Sequence, residues 1–95
     1  MDKIQERFAE TALRRRNMWL YFIRDAIDVI SECQKQGITL RGLDAFLISG
    51  KGIQPSMSNS LWFEEKSPEN YARAKEFLSL SENEPYVYEV WYERY

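Results

Sequence analysis

The stretch that decides the fold is WLYFIRDAIDVISECQKQGITLRGLD, residues 19–44, because its hydrophobic period changes at Gly37. Before that glycine, apolar residues recur at intervals of three and four and predict one buried helical stripe: Trp19, Ile23, Ala26, Ile27, Ile30 and Cys33. After it, apolar and polar residues alternate from Ile38 to Arg41, as they do in a strand. Gly37 itself stands where helices end with a left-handed residue. A helix therefore leads into a strand at this point.

The residues before this stretch extend the helical prediction toward the N-terminus. Neither glycine nor proline occurs from Asp2 to Gln36, and a weaker apolar stripe runs back through Phe8. A straight helix over that range would be about 52 Å long, too long for so small a domain. We therefore expect a bend at Arg16–Asn17 or a projecting arm that packs on a second copy. We predict a helical extension over residues 1–17 and a single domain over residues 18–95.

The segments after Gly42 predict short strands, one further helix and a final strand. Gly50–Gly52 is a turn, Gln54–Ser56 is a break, and Asn59–Phe63 reads as a strand. Ser67–Glu69 starts a helix, with serine as the cap and proline in the first turn. Tyr86–Glu93 alternates as a strand does. The predicted fold class is α+β, with a small antiparallel sheet of three to four strands, a long N-terminal helix and a short second helix on one face.

The composition excludes several kinds of active site. The 95 residues include no histidine and one cysteine, Cys33. This excludes catalysis by Ser-His-Asp or Cys-His groups, histidine-ligated metals, cysteine zinc sites and an internal disulfide. We expect a binding protein and not an enzyme, without cofactor or metal. No signal peptide is visible and no apolar run approaches the roughly 20 residues of a membrane span, so we expect a soluble cytoplasmic protein.

Charge is distributed unevenly along the chain. Residues 1–41 contain eight basic and six acidic side chains, whereas residues 42–95 contain five basic and nine acidic ones. An acidic surface tends to repel nucleic acid and to attract basic proteins. The basic cluster Arg14–Arg16 is either a solvated helix face or a contact with nucleic acid. Gly50–Gly52 is too short for a phosphate-binding loop and leads into no helix.

Aromatic and acidic residues gather in the C-terminal half and supply the candidate partner-binding residues. These are Asp44, Trp62, Glu64, Glu65, Tyr88, Glu89, Trp91 and Glu93. Exposed aromatics beside carboxylates are typical anchors for a basic protein partner. The alternative is an aromatic-rich core with a solvated acidic rim. For Asp44, which follows the predicted strand, the alternatives are a turn cap and an outward-facing partner contact.

Two segments carry a resemblance to a known family. GITLRGLD at residues 37–44 and SNSLWF at residues 58–63 resemble the middle of the small immunity proteins that block tRNA-anticodon-cleaving colicins. The resemblance covers about Met18 to Trp91. Residues 1–17 have no counterpart, Leu61 displaces the aromatic position, and the Pro68-Glu69-Asn70 stretch lies closer to the strand than in the family. The resemblance implies an inhibitor that fills a nuclease's basic RNA-binding cleft.

Three hypotheses follow from these observations. The first is a cytoplasmic immunity protein or antitoxin whose partner is a cognate nuclease toxin, with no role for a membrane or for direct contact with nucleic acid. The second is a small nucleic-acid-associated or phage-derived regulatory protein that uses the Arg14–Arg16 helix. The third is a structural subunit that forms a homodimer through the N-terminal helix.

Overall fold

A computed structural model describes residues 1–93, and Arg94 and Tyr95, the last two residues of the predicted domain, lie outside the described residues. The described chain is α+β, as expected, with two small antiparallel sheets. The helices are α1 (Lys3–Arg7), α2 (Ile23–Gln36) and α3 (Glu69–Leu78), with a short 3₁₀ turn at Ser81–Asn83. The strands are β1 (Leu13–Arg15), β2 (Met18–Leu20), β3 (Leu40–Ser49), β4 (Gly52–Trp62) and β5 (Val87–Tyr92).

The long N-terminal helix is the part of the predicted fold that is wrong. Within residues 2–36, only α1 and α2 are helical. Strands β1 and β2 form a hairpin between them, in which Leu13 pairs with Leu20. The expected bend lies at the turn of this hairpin, where Arg16 takes a positive φ of 57°. Tyr21 then pairs with Tyr88 of β5. Residues of good helix propensity are extended here because pairing and burial outweigh propensity.

Residues 1–17 are part of the same core and do not project from it. Ile4 and Phe8 are 3% and 7% exposed. The Phe8 ring meets the edge of the Tyr21 ring at a centroid distance of 6.0 Å. Asp2 caps α1 by accepting a hydrogen bond from the backbone N–H of Gln5. The apolar residues on which the homodimer hypothesis rested therefore pack within their own chain.

Helix α2 confirms the predicted stripe from Ile23 to Cys33 and its predicted end, whereas Trp19, the first residue of that stripe, lies in β2. Ala26, Ile30 and Cys33 are fully buried, as is Val29, which the stripe did not include. Gly37 closes the helix in the left-handed conformation, with φ 70°, and the next N–H, of Ile38, bonds back to Cys33. A glycine adopts this conformation without a steric penalty, which is why the helix ends there.

The larger sheet has β3 at its centre, in the order β4-β3-β5, with antiparallel pairing throughout. The two residues Gly50–Lys51 connect β3 to β4, so the turn predicted there is confirmed. The predicted break at Gln54–Ser56 is wrong, because these residues belong to β4 and Pro55 pairs with Phe46. A proline is tolerated at this position because β4 is an edge strand and has a neighbour on one side only.

Helices α2 and α3 contact each other and the larger sheet, and together they cover one of its faces. Leu43, Ala45, Tyr88 and Val90 point from the sheet into this buried layer. Helix α3 begins as expected after Ser67, whose hydroxyl accepts the N–H of Glu69 at 3.2 Å. Among residues 1–93, no helix combines the length and the apolar character needed to cross a membrane.

Candidate functional site

The face of the larger sheet opposite the helices carries two exposed tryptophans. Trp62 ends β4 and is 55% exposed, and Trp91 lies near the end of β5 and is 43% exposed. Both pair with Gly42 of the central strand, so their side chains stand on the same face. Their rings meet edge to face, with centroids 6.4 Å apart. We call Gly42, Asp44, Trp62, Glu89 and Trp91 the tryptophan face.

Gly42 is the residue that lets the two rings meet. A Cβ atom at this position would lie 2.5 Å from Cε3 of Trp62 and 2.6 Å from the carbonyl oxygen of Leu61. No real Cβ approaches other atoms so closely, so the Trp62 ring lies directly over the glycine backbone. The absence of a side chain at Gly42 therefore fixes where Trp62 packs.

Asp44 holds the second tryptophan. Its Oδ2 accepts a hydrogen bond from the indole N–H of Trp91 at 2.7 Å. Asp44 lies in the middle of β3 and not at a turn, so the turn-cap interpretation is wrong and the side chain faces outward. A hydrogen bond to a carboxylate is stronger than one between neutral groups, and it restrains the indole on the exposed surface.

The register places a second acidic residue beside Asp44. Glu89 of β5 is paired directly with Asp44, so the two carboxylates lie on the same face. Like charges directly opposite each other on adjacent strands are destabilising. Glu89 makes interactions of its own in addition to this pairing. The arrangement concentrates negative charge next to the tryptophans.

The other predicted acidic residues differ in their surroundings. Glu64 and Glu65 follow β4 and are exposed to solvent. Glu93 is paired with Arg41 at 3.7 Å and with Lys66 at 3.5 Å, so its charge is largely neutralised within the chain. Glu64 and Glu65 are therefore the acids best able to act on a distant partner, while Glu93 ties the end of β5 to its neighbours.

Tyr88 is not part of the exposed surface. Its side chain is fully buried, and its hydroxyl donates to the backbone oxygen of Asn59 at 2.9 Å. Burial raises the pKa of this phenol above its ordinary value. Expecting Tyr88 at a partner surface is thus wrong for this conformation, because the side chain points toward the helices and not toward solvent.

A wide bulge in β4 faces the position of Asp44. Between the pairs Leu43–Leu61 and Ala45–Ser56, β3 contributes one residue and β4 contributes the four residues 57–60. Ser60 replaces the missing ladder bond, since its hydroxyl accepts the N–H of Ala45 at 2.9 Å. Such bulges redirect a strand and commonly lie next to functional surfaces.

Polar side chains from another part of the chain hold this bulge. Asn59 Nδ2 donates to Oδ1 of Asn83 at 2.9 Å, and Asn83, which is 1% exposed, donates to the carbonyl of Phe77 at 2.8 Å. Met57, within the bulge, is 88% exposed. The bulge is therefore fixed at its base and presents an apolar side chain to solvent.

A cleft of about 680 Å³ lies on the other side of Trp91, between the β1–β2 hairpin and β5. Tyr21, which follows the hairpin and pairs with Tyr88 of β5, also lines it. We call it the hairpin cleft. Its walls include Gln5, Arg14, Asn17, Trp19, Glu89 and Trp91.

The three arginines of the basic cluster lie on this hairpin and not on a helix, which corrects the helical prediction for them. The Arg14 guanidinium lies 4.3 Å from the centre of the Trp19 ring, in a cation–π contact. Arg15 and Arg16 are exposed at and beside the turn. Arg14 therefore lines the same cleft as Glu89 and Trp91, which the sequence predicts to bind a protein partner.

The side chains suited to catalysis or metal binding are few. Burial raises the pKa of the Cys33 thiol to about 12, so at neutral pH it is protonated and a poor nucleophile. Within residues 1–93, no three cysteine, aspartate or glutamate side chains converge so as to hold a metal ion.

Several residues that shape these surfaces were missed by the sequence argument. Gly42 reads as one more strand position, and only its contact with Trp62 reveals its role. The Ser58-Asn59-Ser60 stretch was noticed as a motif, but its function in holding a bulge was not. The sequence pattern places Trp19 in a helical stripe and does not single out Gln5. A run of aromatic residues after Asn17, a common turn residue, was the signal that favoured a hairpin there.

Comparisons with protein-family models, with curated proteins and with solved structures find no match to this chain.

Proposed function

We propose that this chain is a bacterial immunity protein or antitoxin that binds a cognate nuclease toxin in the cytoplasm and blocks its basic, RNA-binding cleft. The tryptophan face is the contact surface in this proposal. The observation that carries it is the exposed Trp62–Trp91 pair, which is fixed in place by Gly42 and Asp44.

The rigidity of the tryptophan pair supports a binding role. Two indoles that are 55% and 43% exposed bury little apolar area in the free protein, yet both are held in defined positions. Binding anchors behave in this way, because side chains already ordered before association lose less conformational entropy on binding. Tryptophan is also among the residues most enriched where binding energy concentrates.

The charge around the pair supports a basic partner. Asp44 and Glu89 lie side by side on β3 and β5, and Glu64 and Glu65 follow Trp62 after one residue along the chain. Carboxylates in these positions attract a positively charged cleft and speed the encounter. A surface that offers carboxylates and flat rings also matches what a nuclease cleft binds in RNA, namely phosphates and bases. The resemblance of residues 37–44 and 58–63 to tRNase immunity proteins points to the same class.

The available side chains favour inhibition over catalysis in this proposal. The chain has no histidine, and the one thiol is buried and protonated. An inhibitor that covers a cleft needs shape, charge and apolar anchors but no titrating group near neutral pH.

The experiment first determines whether a nuclease domain is encoded beside this gene and then tests the chain as an inhibitor of that domain, using bulk tRNA as substrate. We expect the chain to abolish tRNA cleavage at a one-to-one ratio and to form a stable complex by size-exclusion chromatography. The double variant Trp62→Ala, Trp91→Ala should lose inhibition, while Phe22→Ala, which removes an aromatic ring that is 51% exposed at the start of α2, should retain it. Undiminished cleavage with an excess of the folded chain would contradict the proposal.

A second function has one observation in its favour. Contact with nucleic acid through the Arg14–Arg16 cluster was expected from a helix, and the cluster lies on a hairpin instead. Arg14 nevertheless stacks on Trp19 beside the hairpin cleft, an arrangement used in the recognition of unpaired bases.

A further inference from the structure

We propose that the hairpin cleft binds the nucleobase of a nucleotide or of a single-stranded nucleic acid, with the phosphate directed toward Arg14 of the β1–β2 hairpin. This inference does not rest on inhibition of a nuclease. The cleft shares Glu89 and Trp91 with the tryptophan face, but binding in it can be tested without any protein partner.

The size and the aromatic walls of the cleft suit a flat ring. Its volume of about 680 Å³ lies within the range of small-molecule sites. Trp19 and Trp91 line it from the hairpin and from β5. Bases stack on indole rings and on arginine guanidinium groups irrespective of sequence. Arg14, held 4.3 Å from the centre of the Trp19 ring, supplies both a flat cation and a phosphate contact.

A polar side chain supplies a further contact. Gln5 lines the cleft, and its Oε1 accepts the backbone N–H of Asp2 at 3.1 Å. Its amide Nε2 is a donor of the kind that pairs with the ring nitrogens and carbonyl oxygens of bases.

The distribution of charge orients the ligand. Arg14 lies on the hairpin side of the cleft, and Glu89 lies on the β5 side. A phosphate is attracted by the guanidinium group and repelled by the carboxylate, so it is favoured near Arg14.

The test is a titration of the full chain with AMP, GMP, CMP and UMP, and with single-stranded hexanucleotides of the same bases. Tryptophan fluorescence and the indole N–H signals of Trp19 and Trp91 in NMR spectra provide the readouts. We expect saturable binding to at least one of these probes with a dissociation constant of about 1 mM or below. Inorganic phosphate serves as the probe for a simple anion site.

Two variants and a matched control separate the proposed contacts from general electrostatics. Gln5→Met removes the amide donor without adding a charge, and it should weaken binding about tenfold, as expected for the loss of one hydrogen bond. Arg14→Ala should weaken binding by a similar factor. Arg15→Ala removes the same charge from the same hairpin without touching the cleft, and we expect a change of less than about threefold.

The outcomes are distinguishable. Binding of the monophosphates as tightly as of the hexanucleotides supports a free nucleotide as the ligand, and much tighter binding of the hexanucleotides supports single-stranded nucleic acid. The proposal fails if no probe saturates, if phosphate alone binds as well as the nucleotides, or if Arg15→Ala costs as much as Arg14→Ala. Circular dichroism and thermal unfolding establish that each variant is folded.

Discussion

The indole N–H of Trp91 donates to Oδ2 of Asp44 across two neighbouring strands, at 2.7 Å, on a face of the sheet that the helices leave uncovered. This bond links a residue of the central strand to an aromatic side chain that is 43% exposed. Because the pair is accessible, its contribution to stability is small, and its main effect is to keep one indole orientation. The proposed binding surface depends on that orientation.

We predict that Asp44→Ala releases the Trp91 indole at little cost in stability. The substitution removes one hydrogen bond to a half-exposed carboxylate and also relieves the repulsion from Glu89, so the net loss should be about 1 kcal/mol or less. The Trp91 indole proton should move upfield in an NMR spectrum. An unchanged indole signal would mean that the bond is not formed in solution, and Asp25→Ala on α2 serves as the control.

Gly42→Ala should disturb the tryptophan face directly. The added methyl group would overlap Cε3 of Trp62 and the carbonyl oxygen of Leu61, so the ring must move or the strands must separate. We expect a loss of about 1–3 kcal/mol in the free energy of unfolding, measured by urea denaturation, together with changed Trp62 fluorescence. Gly50→Ala, where a Cβ meets nothing within 4 Å, should change stability by less than about 0.5 kcal/mol.

Asn59 and Asn83 should prove energetically coupled. Their side chains bond at 2.9 Å, and Asn83 is almost completely buried. Asn83→Ala also removes one of two donors to the carbonyl of Phe77, which keeps the N–H of Leu80, so we expect a loss of about 1–3 kcal/mol. A double-mutant cycle with Asn59→Ala should give a coupling energy of at least about 0.5 kcal/mol. Strict additivity would show that the bulge does not depend on this contact.

Stability should fall at alkaline pH because of two buried groups. Burial raises the pKa of Cys33 to about 12 and raises that of Tyr88, so the folded state keeps protons that the unfolded state has released. The unfolded chain then binds fewer protons, and the free energy of unfolding decreases as pH rises above the ordinary thiol pKa of about 9. Urea denaturation between pH 8 and pH 11 measures this decrease.

The variant Cys33→Ala separates the contributions of Cys33 and Tyr88. It should reduce the loss of stability that begins near pH 9, which is due to Cys33, and leave the loss that begins near pH 10, which is due to Tyr88. Cys33 should also react with thiol reagents at pH 8 only at the rate of unfolding. Rapid labelling of the native protein would contradict the burial on which this prediction rests.

Charge reversal should test the steering role of the exposed acids. With the nuclease domain as partner, Glu64→Lys together with Glu65→Lys should slow association by about tenfold at low salt, and the difference should shrink as salt is added. Stopped-flow fluorescence measures this rate. Glu76→Lys on α3, which lies on the covered side of the sheet, should leave the rate within about twofold. Equal effects at both places would indicate only a dependence on net charge.

Local patterns predicted several elements correctly, and the reasons are local. Helix α2 has a stripe of period near four and a glycine that can take a left-handed conformation at its end. The Gly50–Lys51 turn and the alternation in β5 were also predicted, because turn residues and period-two patterns act within a few residues. These features need no information about distant parts of the chain.

The sequence by itself determined the fold class, the helix that ends at Gly37 and the concentration of acids and aromatics after Gly42. Only the tertiary structure decided how the hairpin of residues 13–20 is held against the rest of the fold, because the next residue, Tyr21, pairs with Tyr88, 67 residues later. It also decided that Tyr88 is buried while Trp91 is exposed. Side chains alternate between the two faces of a strand, so these two residues, three positions apart, point to opposite faces, and the helices cover only one face. The meeting of Trp62 and Trp91 over Gly42 depends on strand register, a long-range property that no local pattern contains.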